Sequence, residues 1–145
     1  MKKIGVSACL LGHNVRYDGT NKMNNELIEL IDGNIIIPIC PEVLAGLSTP
    51  RTPFELVNNR DITIDNKDIT NQLLSGSNIA LEKVLDCDFV ILKSKSPSCG
   101  YKKIYDGSFS SKLIEGNGIF TNLLISNKIK VFSEEDFDEI SLLLK

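Results

Sequence analysis

The chain has no Cys-x-x-Cys pair, one histidine, three arginines and no apolar run near the length of a membrane span. Each shortage removes a class of function. Crossing a bilayer takes roughly 20 apolar residues, so no membrane helix is expected. Lys2 and Lys3 open the chain, but Gly12, His13 and Asn14 follow too soon for the apolar core of a secretory leader. A cytoplasmic protein is the expectation. The 16 basic side chains are outnumbered by 19 acidic ones, for a net charge of -3. With no basic stripe, binding to bulk nucleic acid lacks electrostatic support. The four cysteines lack the spacing of a zinc finger or of a dithiol redox motif.

What is present describes a globular chain. Its 145 residues, 42% hydrophobic and 24% charged, fit one domain spanning 1–145, with no repeat, low-complexity segment or linker. Apolar runs at 2–8, 34–39, 89–93 and 129–132 predict four strands. Between them lie helical patterns at 25–31, capped by Asn24, from about 70 to 85, capped by Thr70 or a neighbour, and at 119–126. A last helix opens at Ser133-Glu134-Glu135-Asp136, whose acidic run to Asp138 reads as a solvated helix start. Leu56-Val57 and Ile62-Thr63-Ile64 predict a small hairpin. The segments 40–53 and 100–118 read as loops. Strands alternating with helices predict an α/β fold, Rossmann-like or flavodoxin-like, with a doubly wound and mainly parallel sheet.

Three cysteines, Cys9, Cys40 and Cys99, each stand just after a predicted strand, where the chain turns into Gly- and Pro-rich loop. Parallel neighbouring strands would bring these thiols to the carboxyl edge of one sheet, where such folds bind ligands. Cys87 precedes its strand and belongs at the opposite edge. In a cytosolic chain this usage points to metal or redox chemistry before structural disulfides. Zinc, an iron–sulfur cluster and disulfide exchange all fit a trio of thiols, and so does simple burial as small hydrophobes. His13 reads as an exposed loop residue.

Polar residues cluster beside these cysteines. Glu42 lies two residues from Cys40, as a general base or a helix-start carboxylate. Ser96 and Ser98 flank Pro97 ahead of Cys99, and Ser7 stands two residues before Cys9; these hydroxyls are candidates to contact a substrate. Arg16 and Asp18 form an ion pair pinning the first loop or grip a ligand. Arg51, between Pro50 and Pro53, is rigidly presented for bidentate recognition.

Three motifs in order, Ser7-Ala8-Cys9-Leu10-Leu11-Gly12 with Val15-Arg16-Tyr17-Asp18-Gly19, Cys40-Pro41-Glu42-Val43 with Pro50-Arg51-Thr52-Pro53-Phe54-Glu55, and Lys93 to Gly100, resemble the thiouracil desulfurase (TudS) family. The likeness extends through Tyr105-Asp106-Gly107, Gly116-x-Gly118 and Val131 to Glu135. It implies a Rossmann-like fold and a 4Fe-4S cluster held by Cys9, Cys40 and Cys99, with one iron open. It further implies non-redox desulfuration of a thiolated pyrimidine base or nucleoside to the oxo compound plus hydrogen sulfide. In that scheme Glu42 and Ser96 are catalytic, and Ser7, Arg16, Asp18, Arg51 and Ser98 bind substrate. The implied partner is a small thiolated pyrimidine, with neither bulk nucleic acid nor membrane; no oligomeric state is assigned. Leu44-Ala45-Gly46 departs from the glycine pair of many relatives and is expected to add bulk beside the pocket. The rival expectations are a non-catalytic small-ligand or sulfide-binding module and a zinc-dependent hydrolase using the same cysteines.

Overall fold

The computed structural model describes residues 1–145. Its centre is a four-stranded parallel sheet built from β1 (Lys3–Ser7), β2 (Ile35–Ile39), β5 (Phe89–Leu92) and β8 (Val131–Ser133), in the order β2-β1-β5-β8. Numbered among the parallel strands alone, that order is 2-1-3-4, the flavodoxin-like arrangement. All four residues of β5 are buried, because helices cover both faces of a parallel sheet and leave no polar side to a central strand. Pro38 sits in β2 at the sheet edge, where a missing N–H breaks no ladder.

The twofold alternation of β1 and β5 sorts the core into two layers. Ile4, Val6, Phe89 and Ile91 pack with Leu27 and Ile31 of α1 (Asn25–Ile31) and Ile140 of α5 (Phe137–Leu143). Val90 and Leu92 point the other way, onto Ala80 and Val84 of α3 (Thr70–Val84) and Phe120 and Leu124 of α4 (Ile119–Ser126). Fully burying one such side chain contributes roughly 1.5–3 kcal/mol. Asn24 caps α1 as expected, its Oδ1 accepting from the Leu27 N–H at 3.0 Å.

The hairpin is present as β3 (Phe54–Val57) and β4 (Arg60–Thr63), joined through Asn58 and Asn59, both at positive φ. Several local expectations are corrected. The segment after Cys40 is not all loop: Pro41–Leu44 forms α2, with proline in the first turn, where its missing N–H costs nothing. A second hairpin, β6 (Lys103–Tyr105) and β7 (Leu113–Glu115), lies inside the other predicted loop. Asp68 rather than Thr70 receives the first helical N–H of α3, and Thr70 Oγ1 instead accepts from the Asp61 N–H. No helix is long and apolar enough to cross a membrane.

Candidate functional site

At the switch point of this topology, where the connections from β1 and β5 leave in opposite directions, the carboxyl ends of the strands open into a cavity of about 500 Å³. Cys9 enters it from a single 3-10 turn after β1, Cys40 from the junction of β2 and α2, and Cys99 from the loop after β5. All three line the cavity, and all three are free thiols. Burial raises the Cys9 pKa to about 11 and pushes up those of Cys40 and Cys99. Each of Cys9 and Cys99 also feels the charge that Cys40 would carry as a thiolate. Three desolvated thiols facing one space are a donor set short of positive charge. A cationic inorganic group would hold them as thiolates, the form in which cysteine ligates. Yet no three His, Cys, Asp or Glu side chains converge closely enough to share one ion. The donor set therefore fits a group with several metal atoms, each taking one thiolate, better than a lone tetrahedral ion.

Backbone contact fixes two of these cysteines. A Cβ on Gly76 of α3 would stand 2.3 Å from the Pro41 carbonyl oxygen and 2.4 Å from the Ala45 nitrogen. Only glycine lets α2, and Cys40 with it, press onto α3. A Cβ on Gly118 would likewise meet the Ser98 carbonyl at 2.4 Å and the Cys99 nitrogen at 2.8 Å. The Cys99 loop also terminates α4: the carbonyls of Pro97 and Ser98 accept from the N–H groups of Ile119 and Phe120.

The polar residues form one chain of contacts. Arg51 donates through Nε to Glu42 Oε1 at 2.9 Å, and its Nη2 lies 2.9 Å from the same oxygen. The pair is sequestered, with side-chain exposures of 6% and 13%. Arg51 also donates to the carbonyls of Ser48 and Val15 and to Thr49 Oγ1, tying together the loops that carry Cys9 and Cys40. On its other oxygen Glu42 accepts from Ser98 Oγ at 2.6 Å. Ser98 Oγ lies 3.0 Å from Ser96 Oγ, and Ser96 Oγ accepts from the N–H groups of Ser98 and Cys99. Ser98, not Ser96, is thus the hydroxyl on the carboxylate.

The other predicted site residues divide. Ser7 and Arg16 line the cavity, although Ser7 Oγ is already engaged by the Lys93 N–H at 3.0 Å. Asp18 lies outside the lining and closes its own turn, accepting from the Thr20 N–H, with Arg16 at 4.0 Å. His13 is exposed, as expected. Cys87 sits at the opposite edge, where the neighbouring Asp88 N–H bonds to the Lys3 carbonyl at the start of β1. Leu44, Ala45 and Gly46 do not reach the lining, so the expected bulk beside the pocket is absent; Ala45 is spent on the contact with Gly76.

Glu134 corrects the reading of its acidic run as solvated. Its side chain is nearly buried, accepts from the Ser94 N–H at 2.8 Å and pairs with Lys93 at 3.7 Å. Phe54, Tyr105 and Phe109 add aromatic walls that the sequence reading assigned no role. Phe54 follows the motif Pro50-Arg51-Thr52-Pro53 directly, and that adjacency was the one signal available for it.

Comparisons with known proteins agree with this geometry. A solved structure of a 4Fe-4S-dependent thiouracil desulfidase, TudS, superposes with a TM-score of 0.91 at 42% identity, covering 99% of this chain and 98% of that one. The Bacillus subtilis (strain 168) protein YbbK is 35% identical, over 93% of this chain and 97% of its own length. The family model for 2-thiouracil desulfurase matches residues 4–136. By sequence, and by a fold that agrees along almost its whole length, the chain belongs to the 2-thiouracil desulfurase family.

Proposed function

We propose that this chain is an iron–sulfur-dependent desulfidase. It would hydrolyse a thiolated pyrimidine of the thiouracil kind to the oxo compound and hydrogen sulfide, with no net change of oxidation state. The observation carrying this reading is the meeting, in one cavity, of three thiols from three strand ends with a buried Glu42 gripped by Arg51 and Ser98. Family membership and the solved desulfidase supply the substrate class and the cofactor.

Cys9, Cys40 and Cys99 would hold a 4Fe-4S cluster. With three thiolates for four irons, the bound cluster supplies an open Lewis-acidic iron that can take the thiocarbonyl sulfur of a substrate. The remaining steps belong to the chain's own residues. Phe54, Tyr105 and Phe109 offer faces for a flat heterocycle and exclude bulk water. Glu42 takes a proton from the attacking water as oxygen bonds to the ring carbon. Arg51 keeps that carboxylate ionised and aimed. Ser98 donates to Glu42 Oε2 and stands 3.8 Å from Cys99 Sγ, so its hydroxyl lies between base and thiol and can carry the proton toward departing sulfur. Ser96 holds the loop by accepting two backbone N–H groups. Water enters, the carbon–sulfur bond breaks, and the products are the ring carbonyl and hydrogen sulfide.

The test is turnover of 2-thiouracil and 4-thiouracil by protein reconstituted with iron and sulfide without oxygen, and with no reductant in the assay. Oxo product and sulfide are expected in equal amounts. Cys9→Ser, Cys40→Ser and Cys99→Ser should each lose bound iron and activity, whereas Cys87→Ser keeps both. Stoichiometric zinc with hydrolysis of unthiolated substrates would favour the zinc hydrolase. Ligand binding with no turnover would favour the binding module.

A further inference from the structure

One buried acid has no part in the chemistry above. Asp61 lies on β4 with 0% of its surface exposed, and neither carboxyl oxygen has a hydrogen-bond partner. Its backbone is clamped: the N–H donates to Thr70 Oγ1 at 2.8 Å, and the carbonyl accepts from the Ile69 N–H at 2.9 Å. Asp61 pairs in register with Leu56, on the hairpin face that also carries Phe54 and Thr63, both buried. Three charged groups reach it: Glu42 from α2, Asp68 from the turn before α3, and Arg60 from its own strand. A carboxylate with no donor at either oxygen is costly to bury. Two carboxylates in mutual range resist ionising together.

We propose that Asp61 is a positioning residue of this site, kept as the neutral acid so that Glu42 alone bears the negative charge held by Arg51 and Ser98. Only the role given to Glu42 rests on the desulfidase reading. Burial first, then the charges of Glu42 and Asp68, raise the Asp61 pKa to about 8 against the opposing pull of Arg60. Above that pH a second negative charge arises beside Glu42 and works against the arrangement that Arg51 maintains. The proton balance fixes the sign of the stability effect. Between the ordinary aspartate value near 4 and about 8, the folded chain keeps a proton that the unfolded chain has released. Stability should therefore fall across that window and level off above it.

Asp61→Asn, a permanently neutral isostere, tests this in the reconstituted holoenzyme by melting from pH 5 to 9 and by turnover of 2-thiouracil. The melting-point advantage of the variant over the parent should grow by about 5 °C or more between pH 5 and 8. The turnover ratio of variant to parent should climb toward about tenfold by pH 9, where roughly a tenth of the parent still holds the proton. Parallel melting curves would overturn the neutral acid. A growing melting gap with a flat turnover ratio would overturn its link to Glu42. Should asparagine prevent folding, Asp61→Leu removes charge and polarity at similar volume, with the same expectations. If neither protein turns over any thiouracil, the desulfidase reading fails while the melting gap still decides the state of Asp61.

Discussion

The two ends of the parallel sheet carry the same kinds of residue in opposite circumstances. At the amino edge, Lys3 pairs with Asp86 beside Cys87, with side-chain exposures of 32% and 68%. At the carboxyl edge, Arg51 pairs with Glu42 beside Cys40, and exposure falls to 6% and 13%. Each edge offers an ion pair, a cysteine and the ends of strands. The difference lies in how much chain stands between them and water. Short turns close the amino edge, whereas loops from three strands enclose the carboxyl edge. An exposed pair is screened by solvent and ions, while a sequestered one keeps its field. Chemistry belongs at the second edge because only there can a carboxylate be held ready without competition from bulk water.

This contrast can be broken, beginning with the largest expected effect. Glu42→Gln keeps the shape and removes the base, so kcat should fall by about 10²–10⁴ with bound iron retained; full turnover would remove the carboxylate from the chemistry. Arg51→Met should follow, costing about 3–5 kcal/mol in denaturant unfolding because it strands a buried charge. An unfolding midpoint equal to that of the parent would show that the pair is wetter than its burial implies. Lys3→Met marks the other end of the scale. The same class of ion-pair deletion at the amino edge should leave both the unfolding midpoint and turnover where they were.

Much of the frame was legible because it rests on short-range patterns. Near-continuous apolar runs marked the buried parallel strands, Asn24 marked the start of α1, and the order of strands and helices led to the sheet. The position of Cys9, Cys40 and Cys99 after their strands then implied a shared edge, and they do line one cavity. What stayed hidden depends on long-range partners. Glu134 looks like any helix-start acid until Lys93 and the Ser94 N–H, some 40 residues away in sequence, are placed against it. Asp61 sits among charged neighbours in sequence, in Arg60-Asp61 and Asp65 to Asp68, and nothing local announces its complete burial. The division of labour between Ser96 and Ser98 turns on which hydroxyl meets Glu42, and spacing alone does not separate two serines flanking a proline. The hairpin of β6 and β7 was missed because its strands are three residues long, too short for an alternating pattern to declare itself.

Gly118 lies nineteen positions beyond Cys99, yet its bare α-carbon decides where that sulfur stands. Any larger residue there would shove the very peptide joining Ser98 to Cys99, and through it the hydroxyl resting on Glu42. Damage to catalysis can thus originate from a position that holds no functional group at all, and a survey confined to acids, bases and thiols would pass over it.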